Sequence, residues 1–211
     1  MSTRLIYVMD PMCSWCWGFA PVAQALVDQA RAAGVETHLV VGGLRTGSVA
    51  ALDPGTRRYI LDHWQAVAEA TGQPFTHEGA LPHGFVYDCE PACRAVVAAR
   101  SLTPEGAWAL LKLIQHAFYV EGRDVTQAGV LVALAEAAGV GRSEFAAAFD
   151  SAEQQGATAA DFAWVQGLGV AGFPTLLAER DGQLALLTNG YQPLPALSDL
   201  LSRWLERATR A

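Results

Sequence analysis

The sequence predicts an α/β fold in which a βαβ unit and a closing ββα unit bracket a large all-helical insertion. Three observations carry this prediction. An apolar segment, Leu5-Ile6-Tyr7-Val8-Met9, runs through Cys13-Ser14-Trp15-Cys16 into a helical pattern. From about Arg45 to Gly169 the strand signal largely disappears and helix punctuation takes over. Near the end, two apolar runs flank Asp181-Gly182, a dipeptide suited to a tight hairpin turn.

Leu5–Met9 reads as a buried strand. After the cysteines, Phe19, Val22, Ala23, Leu26, Val27 and Ala30 recur at helical spacing, with Gly34 as the stop. Thr37-His38-Leu39-Val40-Val41 is the second strand and ends at Gly42-Gly43. A strand–helix–strand unit makes the two strands parallel, with a right-handed crossover. Gly42-Gly43-Leu44-Arg45 therefore comes to the sheet edge that holds Cys13, where ligands bind in open α/β sheets.

In the insertion, Ile60, Leu61, Trp64, Val67 and Ala68 form one apolar face, stopped near Gly72. Asp88 caps a helix through Arg94, Val96 and Val97, with Pro91 in its tolerant first turn. Thr103-Pro104-Glu105 opens a helix carrying Trp108, Leu111, Ile114 and Phe118, which ends near Gly122. Asp124-Val125-Thr126-Gln127 has capping-box spacing and opens a helix stopped by Gly139. Ser143 caps a helix around Phe145 and Phe149, and Thr158 begins one holding Phe162 and Val165. The Trp and Phe stripes read as core. The sheet resumes at Phe173–Leu177 and returns over Leu184–Leu187 to Asn189-Gly190. Leu197, Leu200, Leu201, Trp204 and Leu205 mark a closing amphipathic helix. Residues 1–44 and 170–211 thus form the sheet domain and 45–169 the insertion, whose last helix is free to pack on the sheet domain.

At 211 residues, 52% of them hydrophobic and 17% charged, the chain can build a sizeable core. A net charge of −7 makes nucleic acid and anionic membrane surfaces poor partners. No apolar run approaches the length of a transmembrane helix. The first strand begins within a few residues of Met1 and leaves no room for a signal peptide, so a cytoplasmic location is expected. Thiols are held reduced there, which argues against structural disulfides.

Cys13-Ser14-Trp15-Cys16 at a strand-to-helix junction is a redox dithiol signal. Only a thiolate attacks a disulfide, and unpaired N–H groups with the positive dipole end at a helix N-terminus stabilise that anion. Cys13, near the helix N-cap, is then the attacking residue, and Cys16, one turn in, the buried resolving thiol. A zinc knuckle would need four ligands, usually two such pairs, and one Cys-x-x-Cys exists here. No metal is expected. His38, His63, His77, His83 and His116 are scattered without ligand spacing. Asp10 is positioned to relay a proton or repel a nearby thiolate, although before Pro11 it is more simply a turn former. Cys89 and Cys93 share one helical face, with Cβ atoms about 5–6 Å apart, beyond the roughly 3.5–4.5 Å that a disulfide needs. They are expected to be structural thiols.

A dithiol after a strand, an interrupting helical block and Gly172-Phe173-Pro174-Thr175 opening a hairpin resemble the DsbA-like branch of the thioredoxin superfamily. Asp10-Pro11-Met12-Cys13-Ser14-Trp15-Cys16-Trp17-Gly18 and Glu90-Pro91-Ala92-Cys93-Arg94-Ala95-Val96 are especially similar to its cytoplasmic bacterial members. The resemblance implies a thioredoxin-like fold and a thiol-disulfide oxidoreductase or protein disulfide isomerase. It implies a cis-proline at Pro174, shaping the site with Ser14 and Trp15, and a substrate segment added as a strand along Phe173 and Thr175 beside Trp17. It implies no cofactor beyond the redox-active disulfide, with glutathione as a candidate co-substrate and a disulfide-bearing protein or small thiol as partner. Periplasmic members carry Pro-His between the cysteines where this chain has Ser14-Trp15, which predicts a less oxidising couple.

Two other functions compete. Glutathione-dependent isomerases or transferases of the kappa-class type share the architecture but carry serine at the active position and no resolving cysteine, so Cys16 argues against them. Gly42-Gly43 would shape their thiol pocket, or simply turn the chain at a strand end. A non-catalytic binding module would use Trp15, Trp17 and Phe19 as an apolar landing patch.

Overall fold

The computed structural model describes residues 3–77 and 79–208. Its elements are β1 (Thr3–Met9), α1 (Ser14–Ala32), β2 (Glu36–Val41), α2 (Pro54–Thr71), α3 (Glu90–Leu102), α4 (Pro104–Tyr119), α5 (Ala128–Ala137), α6 (Arg142–Asp150), α7 (Ala152–Gly167), β3 (Thr175–Arg180), β4 (Gln183–Asn189) and α8 (Leu194–Ala208). The strands form one mixed sheet in the order β2-β1-β3-β4. β1 and β2 are parallel, whereas β3 is antiparallel to both β1 and β4. Met9 lies opposite Val41 and Val8 opposite Thr175. The ends of β1 and β2 and the start of β3 therefore meet at one sheet edge. This is the thioredoxin-like arrangement with an inserted helical block.

Side chains alternate across β1 as the strand period requires. Leu5, Tyr7 and Met9 enter a core shared with Phe19, Ala23 and Leu26 of α1 and Leu197 and Leu201 of α8. Ile6 and Val8 face the other way and join Val40, Leu177 and Val165 of α7. The helical block has its own aromatic centre. Trp64 of α2 sits edge-on to Phe118 and Tyr119 of α4, with ring centroids 5.4 and 4.9 Å apart. Truncating so large a buried ring typically costs about 3–5 kcal/mol.

An ion pair within the block holds β2 of the sheet through backbone hydrogen bonds. Arg100 of α3 meets Asp161 of α7 at 2.8 Å. Arg100 also donates to the Leu39 carbonyl, and Asp161 accepts from the Val41 amide at 3.1 Å. The Asp181-Gly182 turn has φ of 48° and 81°, the paired positive values of a tight hairpin.

Three expected helix starts are corrected. Asp124 does not open a helix, because its carboxylate folds back onto the amide and hydroxyl of Thr126, and α5 begins at Ala128. Ser143 lies inside α6, which starts after Gly141. Thr158 lies in the middle of α7, donating to the Gln154 carbonyl, and Ser151 is the cap. Asp88 serves its expected end one residue early, accepting from the Glu90 amide at 3.1 Å while Cys89 holds the N-cap position. Among the described residues no helix is long and apolar enough to cross a membrane.

Candidate active site

Cys13 is the N-cap of α1 and has an extended backbone (φ −88°, ψ 118°). That conformation turns its side chain off the helix axis toward the start of β3. Its sulfur lies 3.7 Å from the carbonyl oxygen of Phe173, and the Phe173–Pro174 peptide bond is cis. Cys13 is 5% exposed, while Cys16, one turn further in, is fully buried. Burial pushes the Cys16 thiol well above its ordinary pKa, and Cys13 beside it adds to this by hydrogen bonding and by charge. Of the two residues, Cys13 holds the helix start and keeps a small exposed area, whereas Cys16 has none.

Asp10 organises the floor of the site. It is fully buried, yet its carboxylate accepts from the Met12 amide at 2.8 Å and the Leu44 amide at 2.7 Å. The Cys93 thiol donates to it at 3.5 Å. Burial raises the Asp10 pKa, and these hydrogen bonds, with a further one from Cys89, oppose the rise. The carboxylate thus ties the turn before Cys13 to the end of β2 and the start of α3. Its turn-forming role is visible in the Met12 bond. The Cys89 and Cys93 thiols are pushed well up, first by burial and then by the Asp10 charge, so they are held as protonated donors. Tyr87 secures the same turn through its hydroxyl, which donates to the Met12 carbonyl.

The loop across from Cys13 is fixed by close contacts. A Cβ on Gly42 would fall 2.0 Å from the Phe173 ring, so only glycine lets that ring lie flat on the strand end. Thr175 donates to the Gly172 carbonyl at 2.8 Å and stands 3.1 Å from the Asn189 carboxamide oxygen. Beside this loop, Gly42, Gly43, Phe162, Gln166 and Phe173 line a cleft of about 570 Å³. The two glycines therefore both turn the chain and wall a pocket.

Cys13, Cys16, Ser14, Trp15, Phe173, Pro174 and Thr175 all come to this edge, and two residues expected to contact substrate, Trp17 and Thr175, have buried side chains. Trp17 is buried, stacked on Tyr119 at 6.2 Å, with its indole N–H donated to the Pro74 carbonyl at 2.9 Å. The Thr175 side chain is fully buried and locks the loop from behind. Phe19 is also buried, which dismantles the landing patch of the binding-module reading. Trp15 stays half-buried at the surface. His63 of α2 stands edge-on to it at 6.0 Å, Tyr191 lies 5.9 Å away, and the exposed Tyr59 stacks on His63 at 6.5 Å. Sequence reasoning gave no role to His63, Tyr59 or Tyr191. Tyr59 and His63 share one face of α2, but Trp15 and Tyr191 come from segments far away in the chain, so no local spacing marks the cluster. Among the described residues, no group of three or more His, Cys, Asp or Glu could hold a metal ion.

A dithiol at a helix start, faced by a proline loop on a mixed four-stranded sheet with a helical insertion, defines the DsbA-like thiol-disulfide oxidoreductase fold. The chain belongs to the family described as the DSBA-like thioredoxin domain, whose model matches residues 4–202. Among solved structures it is similar to a Nitrosomonas europaea protein assigned provisionally as a protein disulfide isomerase, with 42% identity and a TM-score of 0.89 over 98% of this chain and 99% of that one. It is also similar to the cytosolic disulfide reductase DsbM from Pseudomonas aeruginosa, with 35% identity and a TM-score of 0.79 over 95% and 98% of the two chains. The structure of that reductase with glutathione matches at 32% identity and a TM-score of 0.76, over 99% of this chain and 100% of that one. A 2-hydroxychromene-2-carboxylate isomerase shares the fold at 16% identity and a TM-score of 0.66, covering 98% of each chain. No curated protein matches the chain.

Proposed function

We propose that this protein is a cytoplasmic thiol-disulfide oxidoreductase working in the reducing direction, on protein disulfides or mixed disulfides with small thiols such as glutathione. The observation that carries this is the Cys13 sulfur, set at the N-cap of α1 and 3.7 Å from the Phe173 carbonyl. The Phe173 backbone lies where an extended substrate can pair beside the reacting sulfur. The similarity to a cytosolic disulfide reductase, and to its form with glutathione, supports both the direction and the small thiol.

Two exchanges complete the reduction. The Cys13 thiolate attacks one sulfur of R–S–S–R′, forming Cys13–S–S–R and releasing R′S⁻, which takes up a proton. Cys16 then loses its proton and attacks the Cys13 sulfur. The Cys13–Cys16 bond forms as RS⁻ leaves and takes up a proton, so two electrons have passed to the substrate. Two equivalents of a small thiol return the dithiol to its reduced form. Ser14 and Trp15 shape the rim, and Pro174 and Phe173 form the opposite wall.

Insulin reduction with glutathione or dithiothreitol as donor tests this. Turnover that requires both Cys13 and Cys16 is the expected result. Glutathione-dependent turnover of a substrate without a disulfide, undiminished in Cys16→Ser, would favour the kappa-class reading instead.

A further inference from the structure

Tyr7 lies in the same core cluster as the resolving cysteine. β1 turns it inward with Leu5 and Met9, and it is 2% exposed. Its ring is clamped between Phe19 at 6.0 Å and Trp108 at 6.0 Å, nearly parallel to the latter. Phe19 follows Cys16 by one turn of α1, so both present their side chains to this strand. The Tyr7 hydroxyl shares a core cluster with Cys16, which helps raise its pKa, and it is buried with no hydrogen-bond partner among the described residues.

An unpartnered buried hydroxyl is unfavourable and calls for an account. A neutral thiol is a weak acceptor, whereas a thiolate is a strong one. We propose that Tyr7 is a catalytic residue of the second exchange: its O–H donates to the Cys16 sulfur as that sulfur becomes the attacking thiolate. The inference rests on the two-step dithiol reading above. Cys16 is otherwise faced by Cys13 and by Asp10, whose backbone N–H favours the thiolate while its charge opposes it. The Asp10 carboxylate is already engaged by two amides and the thiols. Among the described residues Tyr7 remains as a side-chain donor with free capacity. A bond made only when charge develops lowers the barrier without stabilising the resting state. Atoms balance as before: Cys13–S–S–R becomes Cys13–Cys16 plus RSH, the Cys16 proton is taken up by the departing thiolate, and Tyr7 keeps its own.

Stopped-flow reaction of the reduced protein with 5,5′-dithiobis(2-nitrobenzoate) separates the steps. The first thionitrobenzoate marks attack by Cys13, and the second marks resolution by Cys16. Tyr7→Phe keeps the packed ring, so its first phase and thermal midpoint should match the wild type. Its second phase should slow by about tenfold or more, with its pH midpoint moved upward. A second phase within twofold of wild type and on the same pH profile overturns the role of Tyr7 while leaving the dithiol intact. A wild-type protein that releases no second equivalent overturns the dithiol reading as well. Wild-type chain bearing 3-fluorotyrosine, whose phenols donate more strongly, provides a check that removes no side chain. Its second phase should quicken relative to its first, and an unchanged ratio counts against the proposal.

Discussion

Cys13 and Cys16 open α1, Cys89 and Cys93 open α3, and each pair lies within one helical turn of a cap. Asp10 stands between them, yet the two pairs are set up for different work. Cys13 has an extended backbone and leaves the helix for the Phe173 carbonyl. Cys89 has a helical one (φ −81°, ψ −14°), and its carbonyl accepts from the Cys93 amide at 2.9 Å, so that first turn is regularly wound. The α3 sulfurs stay beneath Asp10, closed in by the backbone of Gly43 and Arg45. Cysteines at a helix start become a working dithiol only when the cap releases the first sulfur toward something that can present a substrate. The α3 pair instead supplies hydrogen-bond donors to a buried carboxylate, and Arg94 in the same motif pairs with Glu90 of its own helix at 2.8 Å and ties that helix to α6 through the Phe149 carbonyl at 2.7 Å.

The largest test of that contrast is Cys13→Ser, which should abolish insulin reduction while the circular dichroism spectrum stays native. Cys16→Ser should retain the first exchange and accumulate a mixed disulfide, seen in the intact mass as one bound glutathione per chain. Labelling of Cys16 before Cys13 by limiting alkylating reagent would reverse the assignment. Gly42→Ala strikes the seat of Phe173, the residue that faces Cys13. A Cβ there drives into the Phe173 ring, and overpacking of this kind costs about 1–3 kcal/mol. Turnover should fall well below wild type, and a wild-type rate would show that the position of Phe173 is unimportant.

Stability against pH sharpens the comparison further. Cys16, Cys89 and Cys93 each have a raised thiol pKa, so the folded state binds more protons than the unfolded chain once the unfolded thiols ionise, near pH 8.5. Stability is then whole below that pH and lost above it, by up to about 1.4 kcal/mol per pH unit for each thiol. Tyr7, Tyr87 and Tyr119 are also raised and add to the loss only above about pH 10. Melting of the reduced protein between pH 8 and 10 should show this decline, and Cys89→Ala/Cys93→Ala should make it shallower. The same double variant should change turnover least of all, within about twofold, and mild oxidation of the wild type should consume two thiols rather than four. Lost turnover in a folded double variant would make the second pair a relay.

Much of this was legible in the chain. Strand-to-helix placement of Cys13-Ser14-Trp15-Cys16, the parallel β1–β2 pair and the Asp181-Gly182 hairpin all rest on local period and turn chemistry, which sequence displays directly. The helix starts at 124, 143 and 158 were misplaced for an identifiable reason. Asp, Ser and Thr bond nearby backbone in turns and inside helices as readily as at caps, so the residue type alone does not choose. Trp17 reads like Trp15, and only the helix phase against the Pro74 loop buries one and leaves the other at the rim. Tyr7, Tyr87 and His63 matter through what stands opposite them in space, and no local pattern encodes that.

The Arg100–Asp161 pair has a consequence for the rims of the sheet. By occupying the Leu39 carbonyl and the Val41 amide, it seals the outer flank of β2, so that no further chain can zip onto that side. The opposite flank is different. β4 carries Leu184 and Leu186 in the open and has no neighbour beyond it among the described strands. Of the two sheet edges, β4 is therefore the one open to pairing with another extended chain. A charge placed at Leu186 would guard the molecule against clumping far better than one placed anywhere on β2.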